Sequence, residues 1–159
     1  MKKPKLYLET SVWNFYFADD APEKKEITLA FFDKIKLGEY DIYISEIVMY
    51  EILRAEQPKK DLLLRIIEEC IPNELKTNLE VDLLGNKYIE QDILTKKSLT
   101  DAMHAAIATV FEMDALISWN LKHLANLQKM NMINAVNMKE GYYKRLELIT
   151  PMEVSGYEI

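Results

Sequence analysis

The chain has 159 residues, of which 49% are hydrophobic and 29% charged, and its formal net charge is −6. This length and composition fit one globular domain spanning 1–159, and the acidic balance argues against a broad basic surface for nucleic acid. The single cysteine, Cys70, excludes an internal disulfide and a cysteine-based zinc site. The first apolar run is too short for a signal peptide, and no run approaches the ~20 apolar residues of a transmembrane helix. We therefore expect a cytoplasmic protein without a membrane segment.

The first half of the chain alternates between short apolar strands and amphipathic helices. Strands are predicted at 5–9 and 41–44, and helices at 27–37, 47–55 and 59–71. The aromatic residues 12–17 predict a helical or irregular segment, and the polar residues 19–25, which include Pro22, predict a surface connection. Ser45 is the expected N-cap of the helix that follows the second strand.

The second half continues this alternation. Helices are predicted at 79–94, 99–113 and 121–136, strands at 115–119 and 145–149, and a very short strand at 74–76. Ser98 is the expected cap of the helix at 99–113. Because strands alternate with helices, the sequence predicts an α/β fold, a three-layer α/β/α sandwich with a mostly parallel central sheet.

Four polar residues are expected to converge at the carboxyl edge of this sheet, where open α/β sheets bind ligands. Glu9 ends the first strand and Asn120 follows the strand at 115–119. Asp101 lies in the first turn of the helix that leads into that strand. Glu51 lies on an apolar helix face, where a carboxylate is costly unless a partner such as a divalent cation compensates its charge.

Each of these residues also has a purely structural explanation. Asp101 could complement the helix dipole as part of a capping box, and Glu51 could pair with Arg54 on its own helix. Glu9 could accept backbone N–H groups at the strand end, and Asn120 could cap a turn. The set as a whole, converging on one sheet edge, favours a site.

The histidines and the aromatic cluster permit two interpretations. His104 and His123 lie three residues after Asp101 and Asn120, and each could serve as a pocket donor or have a structural role. The aromatic residues of VWNFYF could stack on bases, but the pattern favours a place in the core.

Four segments carry a pattern in a fixed order: YLETSVWNF, SEIVMYEI, LTDAMHAAIA and LISWNLKHLAN, followed by the closing LELITPMEV. Together they resemble the PIN-domain family, the metal-dependent ribonuclease fold that includes the VapC-like toxin halves of many toxin–antitoxin pairs. The resemblance covers essentially the whole chain. It places the acidic residues of the family on Glu9, Glu51 and Asp101, and the hydroxyl after the first of them on Thr10 or Ser11.

The resemblance implies a Mg²⁺ (or Mn²⁺) site formed by Glu9, Glu51 and Asp101, with Asn120 positioning a water. Thr10 or Ser11 would contact the scissile phosphate of a single-stranded RNA. The implied partners are a small antitoxin protein and a second copy of the chain in a homodimer. Two positions depart from the family pattern: the first is usually Asp and is here Glu9, and the fourth is often Asp and is here Asn120.

Three functional classes follow from these observations. The first is a metal-dependent endoribonuclease that cleaves single-stranded RNA as the toxin of a toxin–antitoxin pair. The second is a PIN-like module with little or no catalysis that acts by binding protein or RNA, an alternative that the acidic balance and the two departures leave open. The third, a phospho-receiver or other flavodoxin-like signalling domain, is disfavoured because the acidic residues also lie on the helices after the strands.

Overall fold

The computed structural model of the protein describes residues 2–154. Its five strands are β1 (Lys5–Leu8), β2 (Asp41–Ser45), β3 (Asn73–Leu75), β4 (Ala115–Ile117) and β5 (Glu147–Ile149). Its helices are α1 (Thr10–Phe15), α2 (Pro22–Lys36), α3 (Glu46–Leu53), α4 (Lys59–Cys70), α5 (Leu79–Glu90), α6 (Leu99–Val110), α7 (Leu127–Lys139) and α8 (Pro151–Val154). No helix in this part of the chain is long and apolar enough to cross a membrane.

The strands form one sheet in the order β3-β2-β1-β4-β5, and every neighbouring pair is parallel. The chain first builds outward from β1 through β2 to β3, and then returns to place β4 on the other side of β1. Helices flank the sheet, so the predicted α/β class with a mostly parallel sheet is confirmed. The direction of strand addition reverses between β1 and β4, which makes their junction the topological switch point.

The two strands at this junction are apolar without alternation. Leu6, Tyr7 and Leu8 of β1 are buried, and all three residues of β4 are buried as well. Parallel strands have such continuous apolar sequences because helices cover both faces of the sheet, so the side chains on neither face meet solvent. The central strands therefore hold their carboxyl ends in fixed positions relative to one another.

Helices α5 and α6 approach closely through small residues. A Cβ atom on Gly85 would lie 2.7 Å from the Sδ atom of Met103, and the backbone of Ala102 lies just beyond. The glycine, which weakens a helix by itself, is thus explained by the close contact that it permits. This packing fixes α6, whose first turn carries Asp101.

Two helices begin elsewhere than the sequence predicts. Helix α2 begins at Pro22 rather than at residue 27. The surface connection predicted at 19–25 is therefore wrong from Pro22 onwards, where the helix has already begun. Proline is suited to the first helical position, and the first turn is polar and hides the apolar period. Helix α7 begins at Leu127 rather than 121 because the Asn126 side chain accepts a hydrogen bond from the Lys129 N–H at 2.8 Å.

Several element ends are also shorter than predicted. Helix α5 ends at Glu90 rather than 94, because Asp92 adopts a left-handed conformation that turns the chain. Helix α6 ends at Val110 rather than 113, and β1, β4 and β5 each lack one or two of the predicted terminal residues. The closing segment after β5 forms the short helix α8.

The two predicted N-caps behave differently. The Ser45 hydroxyl accepts hydrogen bonds from the backbone N–H groups of Ile47 at 3.2 Å and Val48 at 3.3 Å, so this prediction is confirmed. Ser98 precedes α6, but its side chain forms no capping hydrogen bond, so that prediction is wrong. The chain enters α6 through a 3-10 turn at Lys96–Ser98, which places the Ser98 hydroxyl beside Thr95 instead.

Helix α4 ends in a strained conformation that suggests a stability test. Ile71 has φ +48°, although it is β-branched, and its side chain is 82% exposed. Left-handed backbone costs an L-residue about 1–2 kcal/mol, and asparagine tolerates it better. We expect Ile71→Asn to raise the free energy of unfolding by about 0.5–1 kcal/mol in urea denaturation.

The matched control is Leu37→Asn, at the end of α2. Leu37 is 78% exposed and also follows its helix, but its φ is −76°. The control should leave the urea midpoint nearly unchanged. Equal gains in both variants would show that removal of exposed apolar surface, rather than backbone strain, sets the effect.

Candidate functional site

Polar side chains gather at the switch point between β1 and β4. Glu9 directly follows β1, and its N–H donates to the Ile117 carbonyl of β4 at 3.1 Å, which extends the sheet pairing by one residue. Ser118 directly follows β4 and is buried. Open parallel sheets bind ligands at this position because the loops diverge there to opposite faces of the sheet.

The Glu9 carboxylate is held by donors from the segments that follow both strands. It is only 6% exposed, and its Oε1 atom accepts hydrogen bonds from the Ser11 hydroxyl at 2.5 Å and the Ser118 hydroxyl at 2.7 Å. These serine oxygens in turn accept the backbone N–H groups of Trp119 at 2.8 Å and Asn120 at 2.9 Å. A buried carboxylate needs such donors, and here they also fix its orientation.

Asp101 lies close to this carboxylate. Burial raises the pKa of Asp101 above its ordinary value, and the negative charge of Glu9 raises it further. His104, His123 and the side chain of Asn120 partly oppose this rise. Helix α6 therefore presents to Glu9 a second carboxylate whose charge the site does not fully compensate.

Asn120 turns its amide oxygen towards its own backbone. The Oδ1 atom accepts the N–H of His123 at 3.0 Å, so the amide caps the turn after β4 and its oxygen is already engaged. Asn120 therefore caps a turn, which is the structural explanation that the sequence allowed. Its side chain also interacts with Asp101. The amide nitrogen remains the group that can donate towards the site.

Glu51 lies on α3 and is held by two other donors. Its Oε1 atom accepts the Thr10 hydroxyl at 2.7 Å and lies 2.8 Å from Nε2 of His104. Burial disfavours the charged form, but the hydrogen bonds from His104 and Thr10 outweigh burial and hold the pKa of Glu51 below its usual value. The pairing with Arg54 does not form, because Arg54 instead contacts the hydroxyl and ring of Tyr50.

Glu9 and Glu51 share one arrangement, in which one oxygen is saturated and the other is open. Within residues 2–154 no hydrogen bond reaches Oε2 of either residue, and no buried side-chain oxygen or nitrogen lacks a partner. The Oε2 atoms must therefore touch solvent. Carboxylate oxygens that lack a hydrogen bond, beside an aspartate whose pKa is raised, are suited to bind a cation, ordered water or a hydrogen-bond donor of a ligand.

The predicted site residues thus divide into two linked groups. Glu9, Ser11, Asp101 and Asn120 lie together, whereas Thr10 and Glu51 meet beside His104. The sequence reasoning missed Ser118, Tyr7 and Ser45. Ser118 could have been found, because it is the first polar residue after a buried strand that ends at the ligand-binding edge.

Across the described chain, no three His, Cys, Asp or Glu side chains are arranged as a group that could hold a metal ion by themselves. The pair of Glu9 and Asp101 nevertheless suits a hydrated Mg²⁺ ion, which commonly uses one or two carboxylates and fills its other positions with water and substrate phosphates. The donor set therefore fits an open site that water and a substrate complete.

The raised pKa of Asp101 makes a stability prediction for the metal-free protein. Because its folded pKa lies above the unfolded value, the charged form destabilises the fold at pH 7, and this penalty vanishes as pH falls below the ordinary value of 3.8. We expect Asp101→Asn to raise the thermal midpoint at pH 7 in EDTA, with the gain shrinking towards pH 3.

Asp114→Asn is the matched control of opposite sign. Burial disfavours ionisation of Asp114 as well, but the Lys5 N–H and Lys144 outweigh it and lower its pKa. Its replacement should therefore lower the thermal midpoint at pH 7. A lower midpoint for both variants would contradict the assigned repulsion between Asp101 and Glu9.

Comparisons with known proteins bear on the fold. No model of a protein family matches the chain, and no curated protein sequence matches it either. Among solved structures, a chain in the crystal structure of VapBC2 from Rickettsia felis bound to a DNA fragment from the promoter is similar, with a TM-score of 0.53 and 15% identity. The alignment covers 90% of this chain and 97% of that chain. At this identity the likeness shows the fold, which is consistent with a PIN-like domain.

Proposed function

We propose that the protein is a Mg²⁺- or Mn²⁺-dependent endoribonuclease that cleaves single-stranded RNA as the toxin of a toxin–antitoxin pair. The observation that supports it most is the Glu9–Asp101 pair at the switch point of a PIN-like sheet, with open carboxylate oxygens. Two incompletely compensated carboxylates at a ligand-binding edge are costly unless a cation is recruited. Of the four segments that resemble PIN-family motifs, the first carries Glu9 and the third carries Asp101.

Glu9 and Asp101 would hold the ion directly, and Glu51, the third predicted ligand, would act through an intervening water, because the three do not form one metal-holding group in the described chain. The bound ion would lower the pKa of a water and offset charge that develops on the phosphodiester. Ser11 and Ser118 keep the Glu9 carboxylate oriented. The Asn120 amide nitrogen would position a water, because its oxygen is committed to the His123 N–H.

The predicted contact of Thr10 or Ser11 with the substrate phosphate carries a condition. Both hydroxyls already donate to carboxylates, to Glu51 and Glu9 respectively. Each could therefore reach a phosphate only by exchanging that hydrogen bond. Ser11 is the better candidate, because it is partly exposed whereas Thr10 is buried.

The surroundings of the site suit a flexible strand rather than a duplex. Lys96 and Lys97 precede Asp101 and Lys122 follows Asn120, and all three side chains are exposed. They could contact phosphates of RNA drawn across the sheet edge. Phe15 is partly exposed and could stack on a base, whereas Trp13 is fully buried and belongs to the core.

The proposal includes a protein partner in the cytoplasm. The similar solved structure is a VapBC2 assembly, so a small antitoxin is the expected partner of a toxin with this fold. Helix α3 exposes Tyr50 and Leu53, and α5 exposes Leu79 and Leu83. Exposed apolar side chains on two helices can serve an antitoxin and the second subunit of a homodimer.

A second candidate function is a PIN-like module that binds RNA or protein without cleaving it. Asn120 favours this candidate, because it brings no negative charge to a position that is often acidic in the family. The absence of a three-residue metal-holding group among the residues described points the same way.

The two candidates differ in one experiment. Purified protein is incubated with fluorescently labelled single-stranded RNA in Mg²⁺, Mn²⁺ or EDTA, with duplex RNA and single-stranded DNA as parallel substrates. The proposal expects cleavage of the single-stranded RNA that needs either metal and stops in EDTA. Binding of RNA without cleavage in both metals would support the binding module instead.

A further inference from the structure

A continuous chain of buried polar side chains runs beneath the site to Glu51. The Ser45 hydroxyl lies 2.7 Å from the Tyr7 hydroxyl, which lies 2.6 Å from Nδ1 of His104. Nε2 of His104 lies 2.8 Å from Oε1 of Glu51. Ser45, Tyr7 and His104 are each 0% exposed, so none of them touches solvent and each needs its partners within the protein.

The number of donors and acceptors permits one direction along this chain. The Ser45 oxygen already accepts two backbone N–H groups, from Ile47 and Val48, which occupy both of its lone pairs. Its own hydrogen must therefore be donated to the Tyr7 oxygen. The Tyr7 oxygen accepts the Ser45 hydrogen, so the Tyr7 hydrogen is donated to its other polar neighbour, Nδ1 of His104, 2.6 Å away.

The hydrogen bond between His104 and Glu51 can run in only one direction. An imidazole whose Nδ1 accepts a hydrogen bond carries its hydrogen on Nε2. A carboxylate can only accept, so Nε2–H of His104 donates to Oε1 of Glu51. If the hydrogen bonds ran in the opposite direction, the Ser45 oxygen would have to accept a third hydrogen bond. Its own hydrogen would then have no acceptor.

We propose that Tyr7 and His104 are positioning residues for Glu51, holding one tautomer of His104 so that Oε1 of Glu51 is saturated and Oε2 faces the site. This inference rests on the proposed function for its consequence, but the tautomer follows from the hydrogen bonds alone. Thr10, the first residue of α1, supplies the second donor to Oε1, at 2.7 Å. The orientation of Glu51 is thus set by α1 and α6, with support from β1 and β2, rather than by its own helix.

Such support is expected to affect metal affinity more than stability. Residues that orient metal ligands typically change affinity by about 10–100-fold when they are replaced. A buried polar chain that served the fold alone would show no such selectivity. Tyr88 provides the comparison, since its buried hydroxyl donates to Asn137 Oδ1 at 2.5 Å and links α5 to α7.

The first measurement is imidazole nitrogen NMR of the whole protein without metal. The chain contains two histidines, and His123→Gln assigns the remaining signal to His104. The expected spectrum shows Nε2 protonated and Nδ1 as an acceptor, and Tyr7→Phe should move the Nδ1 resonance. A ring protonated on Nδ1 would overturn the proposal, whether or not the protein cleaves RNA.

The second measurement is Mn²⁺ affinity by calorimetry. Tyr7→Phe is expected to weaken binding about 10-fold, whereas Tyr88→Phe, which removes another buried phenol hydroxyl, should leave it unchanged. His104→Met should weaken Mn²⁺ binding further, and His104→Gln, which keeps an N–H near the Nε2 position, should restore part of it.

The outcomes separate the two proposals. Equal weakening by Tyr7→Phe and Tyr88→Phe, or no effect of Tyr7→Phe, would overturn the positioning role while leaving the ribonuclease proposal in place. If the wild-type protein has the expected tautomer but binds no Mn²⁺, the proposal of a metal-dependent function fails. The proposed role of the Ser45–Tyr7–His104 hydrogen bonds in metal binding then fails with it.

Discussion

Replacing Asp101 with asparagine is expected to reduce metal-dependent RNA cleavage by about 100-fold or more. Losing one preorganised electrostatic group in an active site costs about 10²–10³ in rate, and Asp101 is proposed to hold the ion itself. Burial and the negative charge of Glu9 raise the pKa of Asp101, as expected for a carboxylate that a cation would stabilise. The measurement is the initial rate of cleavage of labelled single-stranded RNA in Mn²⁺.

The same variant is expected to be more stable than wild type without metal, so its loss of activity would not come from unfolding. Asp114→Asn serves as the activity control, because Asp114 lies at the opposite, amino end of β4 and pairs with Lys144 at 3.0 Å. Cleavage that survives in Asp101→Asn at more than about a tenth of the wild-type rate would contradict the site, since loss of such a group costs at least 10²-fold.

Trp13→Ala is expected to cause the largest loss of stability, about 3–5 kcal/mol in the free energy of unfolding. Trp13 is fully buried on α1, and its ring meets that of Phe32 at a centroid distance of 5.2 Å. Its Nε1–H also donates to the Leu8 carbonyl at 3.4 Å, which ties α1 back to β1. Since small domains have about 5–15 kcal/mol in total, the variant should lose a large fraction of its stability.

Urea denaturation measures this loss, with Tyr143→Ala as the control. Tyr143 is also aromatic but 76% exposed, and its truncation should change the free energy of unfolding by less than about 0.5 kcal/mol. A loss below about 1 kcal/mol for Trp13→Ala would be inconsistent with the dense packing around it. Such a result would also revive the base-stacking interpretation of Trp13.

The alternation of elements could be predicted from sequence because hydrophobic period is a local property. Apart from Lys5 at the start of β1, the β1 and β4 segments are apolar at every position, and α3 follows a serine cap that both the pattern and the structure show. Helix boundaries were less predictable, because α2 begins with a polar turn at Pro22 and α7 depends on the Asn126 cap. The start of α2 is set by a proline suited to the first helical position, and the start of α7 by a capping hydrogen bond. The spacing of apolar residues does not show either start.

The partners of the site residues could be predicted only in part. Placing Glu9, Asp101 and Asn120 near one sheet edge required only the rule that parallel strands end together. The partner of Glu51 could not be foreseen in this way, since Arg54 lies three residues away on the same helix and His104 is 53 residues away. The choice depends on how α3 and α6 pack against the sheet, which no local pattern specifies.

The sequence by itself determined the α/β class, the identity of the carboxylates and their positions at the ends of strands and starts of helices. Those features follow from residue chemistry and from periods of two to four residues. Only the tertiary structure decided that β4 lies beside β1, so that Ser118 donates to Glu9, and that Tyr7 and His104 support Glu51. These contacts join residues that are 53 to 109 positions apart. They arise because burial leaves each polar group with few possible partners, and the topology selects among them.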